Sequence, residues 1–224
     1  MIKNISNLGD AALYCDFGSD VNKKINSEVI KYFNTIKEKN IEGINNLTPS
    51  YNKLIISYDL RVTNFKEIKD KIEKLNVAES LKINNKKIEI PVCCDPSFSL
   101  DMERLENKLN LTKEKILENF FNKEFFCYMT GFIAGMPFLG DLDENMRVQR
   151  LETPRVKVPK GSVGITEQFA DIYTFESPGG WNIIGNTPLE VFDSSKEIDP
   201  NLINPGDTVK FKQITLEEYK NYNE

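Results

Sequence analysis

The sequence contains no histidine, and this absence excludes more chemistry than any other feature of its 224 residues. Imidazole is the commonest general base near neutral pH and the commonest metal ligand. Ser-His-Asp triads, Cys-His pairs, HExxH zinc sites and facial-triad iron sites are therefore excluded within this chain. Proton transfer must use Asp, Glu, Lys, Tyr, Cys or bound water, unless a partner subunit supplies the base.

Paired cysteines, long apolar runs and excess positive charge are also missing. The four cysteines form no C-x-x-C pair, so we expect reduced, buried thiols and no metal site. The apolar run at 131–140 contains a proline and is far shorter than the roughly 20 residues of a membrane-spanning helix. The N-terminus lacks the apolar core of a signal peptide, and a net charge of −5 does not favour nucleic acid. We expect a cytoplasmic protein that binds neither membrane nor nucleic acid.

Glycine and proline are concentrated in one part of the chain. Nine of the twelve glycines and seven of the ten prolines lie between residues 131 and 206, whereas lysine and asparagine dominate the part before it. This change predicts two regions with different backbone requirements, joined between about 90 and 130.

The first region has alternating strand and helix patterns. Short apolar-polar alternation predicts strands, at 11–17, 53–58 and 87–92. Apolar residues at helical spacing predict helices, at 22–39 and 65–75. The expected structure is a small α+β sandwich domain over residues 1–92, in which the strand at 87–92 is the closing one.

A helical connector is expected at 93–124. Asp101 and Thr112 have the pattern of N-caps, with apolar staple residues on either side, and predict helices at 102–109 and 113–121. From residue 125 to 224, turn signals recur at short intervals and long helical periods are missing. This pattern predicts an all-β sandwich or a small closed barrel.

Arginine is scarce, with five among 29 basic residues, yet Arg147, Arg150 and Arg155 lie within nine residues of one another. The planar guanidinium suits carboxylate or phosphate better than a flexible ammonium does. Two interpretations stay open. The arginines pair with local acids such as Glu144 and Glu152 and fix a loop, or Arg150 and Arg155 clamp an anion.

The glycine-containing segment 131–140 has neither the Walker spacing nor the G-x-G-x-x-G spacing of nucleotide-binding loops. Its turns either line the mouth of a barrel or expose backbone amides that receive an oxyanion.

The segment from Tyr173 to Trp181 combines a hydroxyl, a carboxylate and a sharp turn beside the single tryptophan. Ser177 is either a turn hydroxyl or a reactive group, and no histidine is present to activate it. Trp181 is either a core residue or the aromatic wall of a small-molecule pocket, with Tyr173 and Glu176 as polar groups.

Several motifs follow one another along the second half of the chain. They are Gly131-Phe-x-x-Gly-x-Pro-Phe-Leu-Gly140, Thr153-Pro-Arg-x-x-Val-Pro-x-Gly-Ser-Val163, Ser177-Pro-Gly-Gly-Trp181, Ile184-Gly-x-Thr-Pro188 and Pro205-Gly-Asp207. Together they resemble the allophanate hydrolase subunit 1 family. That family includes the PxpB component of bacterial 5-oxoprolinase, the kinase inhibitor KipI and one half of the carboxyltransferase domain of urea carboxylase. The resemblance covers almost the whole chain.

The resemblance implies a cyclophilin-like β-barrel at residues 125–224, after the N-terminal α+β domain. It also implies a non-autonomous subunit of an ATP-dependent 5-oxoprolinase, which opens 5-oxo-L-proline to L-glutamate, or of a related amide hydrolase. The implied partners are a PxpC-like subunit (allophanate hydrolase subunit 2), a PxpA-like subunit and a small carboxylated amide substrate. ATP is expected at the assembled complex.

For the site, the expected catalytic residues are Tyr173 and Ser177, which would hydrogen-bond the lactam or its tetrahedral adduct. The expected substrate-binding residues are Arg150, Arg155, Glu176, Trp181 and Thr187. The chain departs from the family pattern at five positions, where it has Phe120 for His, Ala134 for Pro, Met136 for Phe, Gln149 for Pro and Asn186 for Arg.

Two alternatives of other classes stay open. A KipI-like protein would dock on a histidine kinase through an exposed apolar surface. A carboxyltransferase half would act on urea or another amide and would need biotin on a carrier.

Overall fold

The computed structural model describes residues 1–77 and 85–222 of the chain. The chain divides into two compact units, Met1–Asn84 and Asn85–Glu224. The division into three parts at 92 and 124 stays a prediction. Within the described residues, no helix has the length and apolar character that crossing a membrane requires.

Within residues 1–77, the first unit contains four strands and two helices. In chain order they are β1 (Asn4–Asn7), β2 (Ala12–Asp16), α1 (Lys23–Lys39), β3 (Ile44–Pro49), β4 (Lys53–Tyr58) and α2 (Phe65–Glu73). The strands form one antiparallel sheet in the order β1-β2-β4-β3. The sequence pattern predicts β2 and β4 but not the edge strands β1 and β3, which are rich in asparagine, a residue that strands disfavour.

Side-chain caps fix where the helices of this unit begin. The Asn22 side chain accepts a hydrogen bond from the Ile25 amide at the start of α1, and Asn64 does the same for Glu67 at the start of α2. Both helices bury one apolar face against the sheet. The fully or almost fully buried core of this unit includes Leu13, Val29, Leu54, Ile56, Ile68 and Ile72.

The second unit has nine strands. They are β5 (Lys87–Cys93), β6 (Glu124–Thr130), β7 (Pro137–Gly140), β8 (Arg155–Val158), β9 (Ser162–Thr166), β10 (Phe169–Ile172), β11 (Ser177–Gly179), β12 (Asn182–Asn186) and β13 (Thr208–Ile214). Seven of them close a barrel in the order β10-β7-β6-β13-β5-β12-β9, and β8 and β11 form a separate antiparallel pair. The barrel is mixed because β13 and β5 run parallel, whereas the other neighbours are antiparallel. Of the two predicted alternatives, a closed barrel is therefore the one that forms.

The expectation that the strand at 87–92 closes the N-terminal sheet is wrong. This segment is β5, and it pairs with β12 and β13 in the barrel. Ile90 and Val92 are fully buried in the barrel core. Alternation of apolar and polar residues identifies a strand but not its partners, because register and pairing depend on contacts distant in sequence.

Short helices complete the second unit. They are α3 (Met102–Leu109), α4 (Lys113–Phe121), a 3-10 turn at Glu144–Met146 and α5 (Leu216–Lys220). The bounds predicted for α3 and α4 are confirmed. Thr112 caps α4 through its side chain, but the Asp101 side chain makes no capping bond to α3. Asp101 is used elsewhere.

Phe120, which replaces the family's histidine, lies in the core where α4 covers the barrel. Its side chain is fully buried and stacks on Phe211 with ring centroids 4.8 Å apart. It also contacts Phe125 and Phe121. The position is therefore a packing position in this chain.

All four cysteines are free and buried, as predicted. Burial raises the pKa of Cys15 and of Cys94 to about 12, and it raises the pKa of Cys127 as well. Because the thiolate is the reactive form, we expect an aromatic disulfide reagent near neutral pH to react with the native protein at least about tenfold more slowly than with the urea-unfolded chain. Stopped-flow absorbance measures both rates, and a thiol that reacts equally fast in both states would contradict this expectation.

Candidate functional site

Two residues near the end of β10 point out of the barrel, toward the separate strand pair. Ala170 and Ile172 belong to the barrel core, so the alternating residues Asp171 and Tyr173 face outward. The Tyr173 hydroxyl contacts β11 closely, since a Cβ atom at Gly179 would lie 2.0 Å from it. Only glycine fits there, which explains the Pro-Gly-Gly motif in this strand.

Arg155, at the start of β8, is held by a buried acid. Its Nη2 lies 2.5 Å from Asp101 Oδ1, and the two side chains are 28% and 5% exposed. The second carboxylate oxygen, Asp101 Oδ2, accepts a hydrogen bond from the Ile183 amide at 2.7 Å. Arg155 Nη1 is buried and has no hydrogen-bond partner among the described residues. One side of the guanidinium is therefore fixed, and the other has a donor to offer a ligand.

Arg150 lies on the other side of the Gly179-Gly180 turn. It is exposed, and its guanidinium packs over Gly180, where a Cβ atom would lie 3.4 Å from Nε. The segment is fixed by a hydrogen bond from the Leu151 amide to the Gly180 carbonyl at 2.7 Å. Arg147 is not part of this group, because its Nε donates to the Leu142 carbonyl at 3.2 Å. Arg147 thus fixes a loop, as one of the two interpretations predicts, but it binds the Leu142 carbonyl and not a local acid.

Tyr173 and Ser177 both present buried hydroxyl oxygens without a hydrogen-bond partner of good geometry among the described residues. Burial raises the pKa of Tyr173, and the nearby Asp171 raises it further. The Trp181 amide, Arg150 and Arg155 act in the opposite direction on this pKa, but burial outweighs them. Tyr173 is therefore a neutral phenol at physiological pH, able to donate a hydrogen bond.

The structure thus brings Arg150, Arg155 and Tyr173 together, with Ser177 on the strand that pairs with β8. Trp181 adjoins them, almost fully buried, and meets Phe138 edge to face at a centroid distance of 5.6 Å. We call the residues Arg150, Arg155, Asp171, Tyr173, Ser177 and Trp181 the outer-face cluster.

Glu176 and Thr187 are engaged elsewhere. Glu176 is exposed and forms an ion pair with Lys157 at 2.8 Å. Thr187 is buried and its Oγ1 accepts a hydrogen bond from the Leu189 amide in a local turn. The structure does not join either side chain to the outer-face cluster, and their assignment as substrate-binding residues stays a prediction.

The Glu176–Lys157 pair should add little to stability. The two side chains are 56% and 74% exposed, so solvent screens their attraction. We expect Glu176→Gln to change the free energy of unfolding by less than about 0.5 kcal/mol, measured by urea denaturation. A loss above about 1 kcal/mol would contradict this, and the same variant's turnover decides whether Glu176 contacts substrate.

Sequence reasoning missed three polar residues that support the outer-face cluster. Arg104 on α3 donates from Nε to Asn182 Oδ1 at 2.9 Å. Asn182 is fully buried and donates to the carbonyls of Gln149 and Ile165, both at 3.1 Å. Together with Asp101 they tie the first turn of α3 to the segments that carry both arginines. The scarcity of arginine is the one sequence signal that points to Arg104.

Two amides of the glycine-containing segment 131–140 are used within the segment itself. The Gly131 amide donates to the Met136 carbonyl, and the Met136 amide donates to Ile133. Gly135 has a positive φ of 71° and packs against the Phe192 ring, so this turn is fixed by packing. Within residues 1–77 and 85–222, no group of three or more Cys, Asp or Glu side chains is placed to hold a metal ion.

Comparison with known proteins gives the same picture. The family described as carboxyltransferase domain, subdomain C and D, matches residues 3–203. The B subunit of 5-oxoprolinase from Bacillus subtilis (strain 168) is 33% identical over 232 residues, which cover 98% of this chain and 96% of that protein. The corresponding B subunit from Haemophilus influenzae is 38% identical over 172 residues, covering 75% of this chain and 76% of that protein.

The crystal structure of Kluyveromyces lactis urea carboxylase superposes with a TM-score of 0.76 over 96% of this chain, at 19% identity. The chain spans only 22% of that protein, and at this identity the likeness concerns the fold. Fold and ordered motifs together define a carboxyltransferase-type barrel protein. The chain belongs to the carboxyltransferase domain family, subdomain C and D, and its resemblance to allophanate hydrolase subunit 1 and to the B subunits of 5-oxoprolinase is confirmed.

Proposed function

We propose that this chain is the B-type subunit of a cytoplasmic, ATP-dependent 5-oxoprolinase. The reaction converts 5-oxo-L-proline, ATP and water to L-glutamate, ADP and phosphate. The match to the B subunit of 5-oxoprolinase over almost the whole length of the Bacillus subtilis protein supports the assignment. The second unit is then a cyclophilin-like barrel that works beside a PxpC-like subunit and a PxpA-like subunit.

One observation carries the proposal, namely that buried polar atoms without a hydrogen-bond partner of good geometry among the described residues gather on the outer face of the barrel. They include Arg155 Nη1, Tyr173 Oη and Ser177 Oγ. Leaving a buried polar group unpaired costs about 1–3 kcal/mol, so these atoms favour a bound polar ligand as their partner. A cation and two hydroxyls suit a compact substrate with a carboxylate and an amide.

In this proposal, Arg155 binds the substrate carboxylate and Arg150 contributes a second positive charge at the exposed side. Tyr173 and Ser177 hydrogen-bond the lactam or its tetrahedral adduct, and Trp181 excludes water. The chain has no histidine to act as a general base. In this proposal the partner subunits supply the base and the ATP site, and this chain binds and orients the substrate.

The test is reconstitution. This chain would be co-expressed with a PxpC-like and a PxpA-like subunit, and glutamate release from 5-oxo-L-proline would be followed with and without ATP. We expect glutamate only when ATP and all subunits are present, and omission of this chain is the control. An assembled complex that contains all subunits yet releases no glutamate would contradict the proposal. A pull-down that recovers a histidine kinase and neither partner subunit would favour the KipI-like alternative.

The family description itself favours a second candidate, half of a biotin-dependent carboxyltransferase acting on urea or another amide. This candidate predicts transfer of a carboxyl group from a biotinylated carrier to the amide. The same reconstituted complex, supplied with carboxybiotin and urea, would distinguish the two candidates.

A further inference from the structure

Asp171 is a buried acid in the outer-face cluster that the proposed mechanism leaves without a role. Its side chain is fully buried on the outward face of β10, next to Tyr173. Buried carboxyl groups are uncommon unless they are paired with a cation or fully hydrogen-bonded. Asp171 forms no ion pair among the described residues.

Its two oxygens are used differently. Asp171 Oδ1 accepts a hydrogen bond from the Gly164 amide at 3.0 Å, whereas Oδ2 is buried and has no partner among the described residues. Burial raises the pKa of Asp171 well above its usual range, and the Gly164 amide opposes this only in part. A carboxyl group that is buried without a counter-ion favours its neutral form. Because Oδ1 is occupied as an acceptor, the proton lies on Oδ2, which becomes a donor without an acceptor.

Asp171 Oδ2 lies on the face of β10 opposite the barrel core. The core lies on the other face of β10, with Ala170 and Ile172. Trp181 precedes β12, and its ring meets Phe138 of β7, although β9 and β10 lie between these two strands. The two rings therefore meet over the strands that carry Gly164 and Asp171. Because residue 164 is a glycine, Asp171 and Trp181 can both lie against it. A Cβ atom there would lie 2.6 Å from Asp171 Oδ1 and 3.0 Å from Trp181 Cβ.

We propose that Asp171 is a further substrate-binding residue, a neutral acid that donates a hydrogen bond from Oδ2 to the carbonyl oxygen of the amide. This inference rests on the proposed function. Arg155 holds the carboxylate of the substrate, and Asp171, beside Tyr173, recognises its carbonyl once the Trp181 ring moves aside. The pair of contacts selects a ligand with both an anionic group and a hydrogen-bond acceptor.

The test compares two probes on the assembled complex. 5-Oxo-L-proline has a ring carbonyl, whereas cyclopentanecarboxylate has the ring and the carboxylate alone. We expect Asp171→Val, which has an apolar side chain and no donor, to lower kcat/KM for 5-oxo-L-proline about tenfold. The same variant should leave the inhibition constant of cyclopentanecarboxylate within about twofold, since Arg155 is untouched. A purely structural role would weaken both probes together.

Asp171→Asn is the matched control. Its Oδ1 still accepts from Gly164, and its Nδ2 donates where Oδ2 did, so it should keep kcat/KM within about threefold. Should Asp171→Val not fold, Asp171→Ala is measured in the same way. Two results would overturn the inference: unchanged kcat/KM in the apolar variant, or an equal loss for both probes. If the wild-type complex releases no glutamate, the proposed function fails; if it does and one of these results appears, only the role of Asp171 fails.

Discussion

Replacing Arg155 with alanine is expected to lower kcat/KM for 5-oxo-L-proline in the assembled complex by about 100-fold or more. The reason is the geometry of its guanidinium. Nη2 is fixed by Asp101 at 2.5 Å, and Nη1 is buried without a partner among the described residues. A bound carboxylate would accept a hydrogen bond from Nη1 of the guanidinium. Arg155→Ala loses this interaction. Glutamate release at several substrate concentrations measures the effect.

Two variants serve as controls for Arg155. Arg155→Lys keeps the charge but not the planar fork, so it should recover only a small part of the lost activity. Arg147→Ala removes an exposed arginine outside the outer-face cluster and should leave kcat/KM within about twofold. Wild-type activity in Arg155→Ala would show that the substrate carboxylate binds elsewhere. Urea denaturation of each variant separates this effect from unfolding.

Much of the fold can be predicted from local sequence. Helical spacing predicts α1 and α2, and the patterns of caps and staples predict α3 and α4, because caps and amphipathic faces are local properties. The strands β2 and β4 alternate clearly for the same reason. β5 alternates as well, but its parallel pairing with β13 joins Lys87 to Thr208, and no local pattern contains that information.

The sequence predicts those residues of the candidate site that belong to a recognisable motif, and it misses the others. Arg150, Arg155, Tyr173 and Ser177 stand out because a scarce residue type and a Pro-Gly-Gly turn mark them. The partner of Arg155 lies 54 residues away, and Asp101 has the sequence context of a helix cap. Asp171 has the sequence context of an exposed polar residue on a half-buried strand. The Trp181 ring, which meets Phe138 over that face, helps to bury it.

Asp101 is expected to stabilise the second unit. Asp101→Ala is expected to lower the free energy of unfolding of the second unit by about 2–4 kcal/mol. The change leaves Arg155 with no counter-charge and removes the acceptor of the Ile183 amide. The expected loss is smaller than the roughly 3–5 kcal/mol of a fully buried pair, because the guanidinium remains 28% exposed to solvent. Glu103→Gln, an exposed acid in the same turn of α3, is the matched control and should change stability by less than about 0.5 kcal/mol.

A double-mutant cycle decides whether the loss belongs to the ion pair. If Asp101 and Arg155 depend on each other, Asp101→Ala/Arg155→Ala should be more stable than the sum of the single losses predicts, by about 1–3 kcal/mol. The double variant leaves neither charge buried alone, whereas each single variant leaves one. Additive losses would mean that Asp101 acts through the Ile183 amide and not through Arg155. In that case Asp101 would not be the group that orients Arg155 Nη1 toward a ligand. The backbone around Arg155 would have to hold the side chain in place instead.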